Sequence, residues 1–169
     1  METMEAIKTR RSIRDYTDRE VPEEVLINLI KAAMFAPSAG DEQPWEFIII
    51  DREDILKKIS QKQSNAHMVK DAPVAVLICA DMSRVKYEDF WEQDCAAATQ
   101  NFLLAAHELG LSSCWVGIHP RSDRTKDFNR LFDLPEQIIP FSVLPVGYPD
   151  ENPPHPDRFD ATRIRRNSW

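Results

Sequence analysis

Segments with helical periodicity alternate with short apolar runs along the chain. Apolar positions recur at helical spacing and predict helices over residues 22–34, 53–61, 88–109 and 123–132. The longest segment, 88–109, gathers its polar side chains in one stripe and is otherwise apolar and rich in alanine. A helix that is apolar over most of its surface is buried inside a protein. We expect it to pack against the sheet or against the same helix of a second copy.

Apolar runs predict strands over residues 45–51, 73–80, 112–118 and 141–148, and the run 73–80 predicts a central strand because it shows no polar alternation. The turn-rich segment PSAGDEQP, residues 37–44, joins the first helix to the first strand. Strands interleaved with helices predict one α/β or α+β domain around a single sheet.

The last twenty residues, 150–169, differ from the rest of the chain. Their prolines favour an extended conformation, which leaves either a floppy tail or an arm strapped along a surface. Phe159, Ile164 and Trp169 would supply apolar anchors for an arm, and disordered tails are usually poor in such residues. We therefore expect an extended arm.

Composition narrows the class of protein. The 169 residues suffice for one domain, and a net charge of −7 argues against general nucleic-acid binding, which needs a basic face. Three separated cysteines predict buried thiols in a reducing cytoplasm rather than a disulfide scaffold. No apolar stretch approaches the ~20 residues that span a bilayer, so no membrane association is expected. The four histidines lack ligand spacing, so we predict no metal.

The sequence motifs point to a phosphorylated small-molecule ligand. With only four glycines, the chain has neither GxGxxG nor a P-loop, and none of its serines lies in GxSxG. The cluster RRSIRDY at 10–16 and the four arginines within 158–169 combine guanidinium groups with a hydroxyl. These groups suit a phosphate monoester, whose oxygens accept paired hydrogen bonds from arginine. The alternative is that both ends are ordinary solvated termini.

Five motifs in order resemble the nitroreductase family of FMN-dependent oxidoreductases. They are RRSIRDYTDREVP, APSAGDEQPWEF, DAPVAVLICAD, DCAAATQNFLLAAHELGLSSCWVGIHP and LPEQIIPFSVLPVGYP. The resemblance implies an α+β nitroreductase-like fold, with a central mixed sheet flanked by helices, in an intertwined homodimer. Residues 1–149 would form the FMN-binding domain, and residues 150–169 would be an extended arm of the same domain, packing on the dimer.

The resemblance also implies residues for each part of FMN. Arg10, Arg11 and Ser12 would hold the phosphate, which Arg163 and Arg165 would complete. The groups next to the ring would be Arg14 and Asn65 at its pyrimidine end, the backbone of Val116 and Gly117 at its N5 edge, and Pro37, Ser38, Ala39 and Gln43 from the other subunit.

Two positions depart from the family pattern. Asp41 stands where the turn often has asparagine, and Met68 stands where a lysine is common. Asp41 would add a carboxylate near an anionic cofactor. With Met68 in place of lysine, Arg14 would alone stabilise negative charge on the ring.

The implied activity is hydride transfer from NAD(P)H through flavin N5 to an electron-poor acceptor, such as a nitroaromatic or a quinone, with no catalytic side chain. The alternatives are a flavin carrier or sensor without nicotinamide turnover, or a relative with dehalogenase or flavin-modifying chemistry. Residues 82–92 precede the long helix and carry Tyr87, Phe90 and Trp91. These aromatic residues would form either a lid over a small-molecule substrate or ordinary helix-start packing.

Overall fold

A five-stranded antiparallel sheet forms the centre of the protein, whose computed structural model describes residues 1–169. Its strands are β1 (Trp45–Ile50), β2 (Val74–Asp81), β3 (Ser112–Ser113), β4 (Val116–Gly117) and β5 (Ile138–Gly147). The strand order is β1-β2-β5-β3, and β4 also pairs with β5. β2 and β5 are therefore the inner strands of the sheet.

Five α-helices surround the sheet: α1 (Thr3–Thr9), α2 (Glu23–Met34), α3 (Glu53–Lys62), α4 (Trp91–Glu108) and α5 (Ser122–Phe132). Short 3₁₀ segments occupy Ala39–Asp41, Ser64–Asp71, Met82–Arg84 and Ala161–Arg163. The helices predicted from periodicity are present, with their ends displaced by up to three residues. α1 was not predicted, because seven residues are too few to show a periodic pattern.

Alternating side chains of β2 divide the core into two layers. Val74, Val76, Ile78 and Ala80 pack with apolar residues of α2 and α4. Ala75, Leu77 and Cys79 face the opposite layer, which contains residues of α3 and α5. Since successive strand residues point to opposite faces, a strand without polar alternation must be covered on both sides. The predicted α+β fold with one sheet between helices is confirmed.

The sheet departs from the predicted mixed arrangement. All four strand pairings are antiparallel, and the one parallel pairing is the isolated bridge between Ser12 and Ser113. A parallel pair needs a connection that carries the chain back to the starting end of the previous strand. Here α3 and the 3₁₀ segment after it return the chain to β2 at the end where β1 finishes, so β2 runs in the opposite direction.

Prolines of β5 explain two differences from the predicted strands. The expected strand over 112–118 is divided into β3 and β4, which keep one register against β5: Ser113 lies opposite Val146 and Val116 opposite Val143. Pro145 lies between those two partners on β5, and it has no N–H to donate to the ladder. β5 also begins earlier than residue 141, because a register shift between Ile78 and Cys79 accommodates Pro140.

Residues 150–169 extend from the domain with a single 3₁₀ turn at Ala161–Arg163. The predicted anchors Phe159, Ile164 and Trp169 are exposed, at 77%, 60% and 100%. Nothing within one copy covers these anchors, so the docking of the arm on a second copy stays a prediction. None of the helices combines the length and the apolar character that a bilayer crossing would require.

Candidate functional site

The segment after α1 runs alongside β3 in an extended conformation. Ser12 forms its bridge with Ser113, and the N–H of Ile13 donates to the Ser113 carbonyl at 3.3 Å. Ile13 is buried in the core, so the side chains directly before and after it point the other way. This alternation gives Arg10, Ser12 and Arg14 a common side of the extended segment.

Positive charge gathers here beside one carboxylate, Glu151, whose Oε1 accepts the backbone N–H groups of Arg14 and Asp15 at 2.5 and 3.3 Å. Arg10 is half-buried, and neither its side chain nor those of Arg14 and Arg158 form an ion pair. Burial lowers the pKa of Arg10, and the nearby charges of Arg158 and Arg11 lower it further. Arg14 and Arg158 are exposed, whereas Arg10 is partly removed from water without a counter-charge on its side chain, which favours a bound anion.

Arg158 was not among the predicted site residues, although its charge acts on Arg10. It is the first arginine of the arm, and this closeness to the domain is the signal that could have identified it. The predicted pair lies elsewhere: Arg163 bonds Asp160 at 3.1 Å, and Arg165 donates to the Thr162 carbonyl. Within one copy, Arg158 is therefore the arm arginine whose charge acts on the cationic cluster, whereas Arg163 and Arg165 bond within the exposed arm. Phosphate binding by Arg163 and Arg165 in a dimer stays a prediction.

Arg11 bonds backbone carbonyls instead of pointing freely into the cluster. Its Nη1 donates to the carbonyls of Lys8 and Arg10 at 2.9 and 2.6 Å, and its Nε donates to that of Pro154 at 3.1 Å. These bonds satisfy carbonyl groups at the end of α1 and tie the start of the arm to the domain. The structure thus gives Arg11 a positioning task, although its Nη2 is buried and without a partner.

Hydroxyl groups add donors beside the arginines. The Ser113 Oγ is buried and has no partner in the chain. Burial raises the pKa of the Cys114 thiol, and the nearby charge of Arg14 and the Ser12 side chain oppose this effect. Burial also raises the pKa of Cys79 and Cys95 to about 12. All three cysteines are buried and free, as predicted.

The turn between α2 and β1 is held by its own side chains and by α4. The Ala39 N–H donates to Asp94 Oδ1 at 3.0 Å, and the Gln43 N–H donates to Ser38 Oγ at 3.0 Å. The Gln43 side-chain amide donates to Asp41 Oδ1 at 2.8 Å. Asp41, which departs from the family pattern, is therefore hydrogen-bonded within the turn.

Asp94 is buried at the start of α4, and burial raises its pKa. Its Oδ2 is also buried and unpartnered, so the Ala39 N–H is its one hydrogen-bonding group in the chain. Burial of a carboxylate that receives only one hydrogen bond costs free energy, which the packing around it must offset. Asp94 thus fixes the Ala39 end of the turn to the long helix.

The backbone of the turn adopts left-handed conformations at three of four successive residues. Gly40, Asp41 and Gln43 have φ values of 56°, 56° and 47°. Left-handed φ at a residue other than glycine costs on the order of 1 kcal/mol, and such residues concentrate at functional sites. This conformation lets residues 37–40 form one wall of a cleft.

The cleft beside the turn has a volume of about 600 Å³, and Pro37, Ser38 and Ala39 line it together with Tyr87 and Phe90. Both aromatic side chains are about half exposed. A volume of this size is typical of small-molecule sites.

Trp91 does not line this cleft. It is buried, with its ring 4.7 Å from that of His119 and 6.2 Å from that of Phe141, because the first turn of α4 directs it towards the core. The structure therefore corrects the grouping of Trp91 with Tyr87 and Phe90.

The remaining predicted residues have contrasting environments. Val116 is buried, whereas a Cβ added at Gly117 would meet no atom within 4 Å, so open space adjoins that backbone. The Gly117 carbonyl accepts a bond from Arg124 Nη1 at 2.7 Å. Asn65 is exposed on its 3₁₀ segment, and Met68, at 2% exposure, belongs to the core. Met68 is therefore unavailable to a ligand.

The two halves of the predicted site lie at opposite ends of α4. At its C-terminal end, His107 Nε2 hydrogen-bonds Thr9 Oγ1 at 2.7 Å, next to Arg10. At its N-terminal end, Asp94 holds Ala39. Asp94 and His107 are separated by thirteen residue steps, which correspond to ~20 Å along a helix axis.

Comparisons with known proteins identify the family of the chain. The sequence pattern of the Nitroreductase family matches residues 7–66 and 57–148. The chain belongs to the nitroreductase family. It is 53% identical over 169 residues to a protein of Methanothermobacter thermautotrophicus named "Putative NADH dehydrogenase/NAD(P)H nitroreductase". The match covers 100% of this chain and 88% of the relative.

Two further family members carry more specific names. An FMN reductase [NAD(P)H] of Bacillus subtilis is 30% identical over 166 residues, covering 88% of this chain and 66% of its own. The solved structure of an FMN-dependent nitroreductase of Clostridium difficile superposes with a TM-score of 0.90 at 31% identity, covering 98% and 99% of the two chains.

Proposed function

We propose that this member of the nitroreductase family is a cytoplasmic FMN-dependent oxidoreductase that passes electrons from NAD(P)H to an electron-poor acceptor such as a nitroaromatic or a quinone. The observation that carries the proposal is half-buried Arg10, which has no acidic partner and lies near Arg158. The names of the similar FMN reductase and FMN-dependent nitroreductase support the same cofactor.

The cationic cluster fits the phosphate end of FMN. A phosphate monoester carries almost two negative charges and offers oxygens to guanidinium groups. Arg10 and Arg158 would bind those oxygens, with the Ser12 hydroxyl as a further donor. The unpartnered Ser113 Oγ lies beside Ser12 and would bond the ribityl chain.

The residues next to the ring would orient it without taking part in covalent chemistry. When bound, FMN supplies the redox chemistry by accepting a hydride from the nicotinamide and passing electrons to the acceptor. Gly117 leaves open space where a flat ring could approach its backbone. The side chain of Arg14 has no acidic partner and would place a fixed positive charge at the pyrimidine end, which favours reduction.

A complete site would need two copies of the chain. In one copy, α4 separates the turn at 37–43 from the arginines at 10–14, so we propose that the turn of a second copy closes each flavin site. The exposed anchors of the arm, at Phe159, Ile164 and Trp169, would pack on that copy. The active form would then be a homodimer.

Purified protein is expected to be yellow and to lose its visible flavin absorption when NADH or NADPH is added without oxygen. The measurement is an absorption spectrum of the protein as isolated, followed by anaerobic titration with each nicotinamide. A yellow protein that does not bleach would indicate a flavin carrier or sensor. A protein that neither retains nor binds FMN would overturn the proposal.

Arg158→Ala is expected to weaken FMN binding roughly fivefold to tenfold, less than Arg10→Ala, because exposed Arg158 makes a solvent-screened contact with the phosphate. Arg163→Ala is the matched control, since it removes an arginine from the same arm and leaves the dissociation constant within roughly twofold. Quenching of FMN fluorescence during titration of the apoprotein measures both constants. The reverse ranking of the two variants would place Arg163 in the site instead.

A further inference from the structure

The carboxylate of Glu42 joins the turn at residues 37–43 to the segment that carries Tyr87, on the other side of the cleft. Glu42 Oε1 accepts the backbone N–H groups of both Lys86 and Tyr87, at 2.8 and 3.2 Å. These bonds lie just beyond the β1–β2 pairing, which ends at Trp45 and Ala80 and is continued by the Asp81 N–H donating to the Pro44 carbonyl at 2.7 Å. Glu42 therefore extends the connection between the two segments as far as Tyr87.

Close packing at Gly40 supports the same connection. A Cβ added at Gly40 would lie 2.7 Å from Cε2 of Tyr87, so the aromatic ring packs directly against the glycine backbone. Gly40 also has φ of 56°, which side chains rarely tolerate. The ring position thus depends on the shape of the turn as well as on Glu42.

The inward position of Glu42 is imposed by its neighbours. Asp41 and Gln43 on either side both have left-handed φ, and they hydrogen-bond each other. The second oxygen of Glu42, Oε2, is buried and has no partner. A partly desolvated carboxylate is kept in place because Oε1 receives two donors from Lys86 and Tyr87.

We propose that Glu42 is a positioning residue that holds Tyr87 as an aromatic wall of the cleft and thereby favours planar aromatic acceptors. This inference rests on the proposed function. The rings of Tyr87 and Phe90 line the cleft and are 55% and 46% exposed, which leaves surface for stacking. Compact acceptors that need no stacking would not depend on Glu42.

Glu42→Ala is expected to lower kcat/KM for the planar quinone menadione roughly tenfold, because a displaced wall no longer positions the ring. For ferricyanide, an octahedral one-electron acceptor, kcat/KM should stay within roughly twofold. Steady-state assays at saturating NAD(P)H, varying each acceptor, measure both values. Glu42→Gln should retain the wild-type ratio, since its amide oxygen can accept the same two N–H groups. Glu24→Ala, an exposed acid on α2, controls for loss of charge.

A double variant tests whether Glu42 acts through Tyr87. If it does, adding Glu42→Ala to Tyr87→Ala should leave kcat/KM for menadione unchanged from that of Tyr87→Ala alone. Equal losses for menadione and ferricyanide, no loss in Glu42→Ala, or additive losses in the double variant would overturn the inference.

Failure of the inference can be told from failure of the proposed function. The wild-type protein is first assayed for bound FMN and for ferricyanide reduction with NAD(P)H, neither of which depends on the Tyr87 wall. Absence of both would remove the proposed function. A wild-type enzyme that is active, with a Glu42→Ala variant that loses FMN rather than acceptor selectivity, would remove the inference alone.

Discussion

Arg10→Ala is expected to weaken FMN binding by roughly 1.5 to 3 kcal/mol, which is about tenfold to 150-fold in the dissociation constant. Arg10 is half-buried and has no carboxylate partner, so its charge would be neutralised by the phosphate alone. Arg10 is also positioned by α1, since it is the C-cap residue directly after that helix and its N–H donates to the Ala6 carbonyl. Titration of apoprotein with FMN, followed by fluorescence quenching, measures the loss.

Arg52→Ala is a suitable control for Arg10→Ala. Arg52 is exposed and bonds Asp54 at 3.0 Å, so its removal changes net charge equally without touching the cationic cluster. Its effect on FMN affinity should be within roughly twofold, because exposed ion pairs contribute little. If both variants bound FMN with the wild-type constant, Arg10 would have no contact with the phosphate.

Phe102→Ala is expected to lower the free energy of unfolding by about 3 to 5 kcal/mol. Phe102 is fully buried on α4, within the core layer that joins α2 and α4 to the sheet. Its removal would leave a cavity in the middle of the helix that separates Asp94 from His107. Urea unfolding of FMN-free protein, at one fixed protein concentration, measures the change.

Lys126→Ala provides the comparison for Phe102→Ala. Lys126 is exposed on α5 and forms no ion pair, so its substitution should alter the free energy of unfolding by less than about 0.5 kcal/mol. A loss below about 1 kcal/mol in Phe102→Ala would mean that the core around α4 collapses to fill the space.

Local sequence patterns predicted most of the fold. Helix α2 follows from apolar spacing after Pro22, and β2 follows from a run with no polar alternation, because both signals arise within a few neighbouring residues. The separation of β3 from β4 could not be read from residues 112–118. It depends on Pro145, which meets them only after the sheet has assembled.

The candidate site was predictable in part for the same reason. The motifs around Arg10 and Ser38 are contiguous, so sequence resemblance pointed to both. The arm arginine that lies near the cationic cluster could not be predicted in this way, because residues 150–169 have no periodic pattern. Arg158 is identified by its position near Arg10 in the folded protein. Glu42 was also missed, because its two hydrogen bonds reach a segment more than forty residues away.

The amino-acid sequence by itself determined the order of elements, the apolar faces that cover the sheet, and the residue types able to bind a phosphorylated cofactor. Those properties depend on side-chain chemistry and on spacing between near neighbours. Only the tertiary structure decided which distant groups meet: Arg158 with Arg10, Glu42 with Tyr87, and Asp94 with Ala39. Such contacts depend on how the packed layers direct loops and arms in space, and no local pattern encodes that direction.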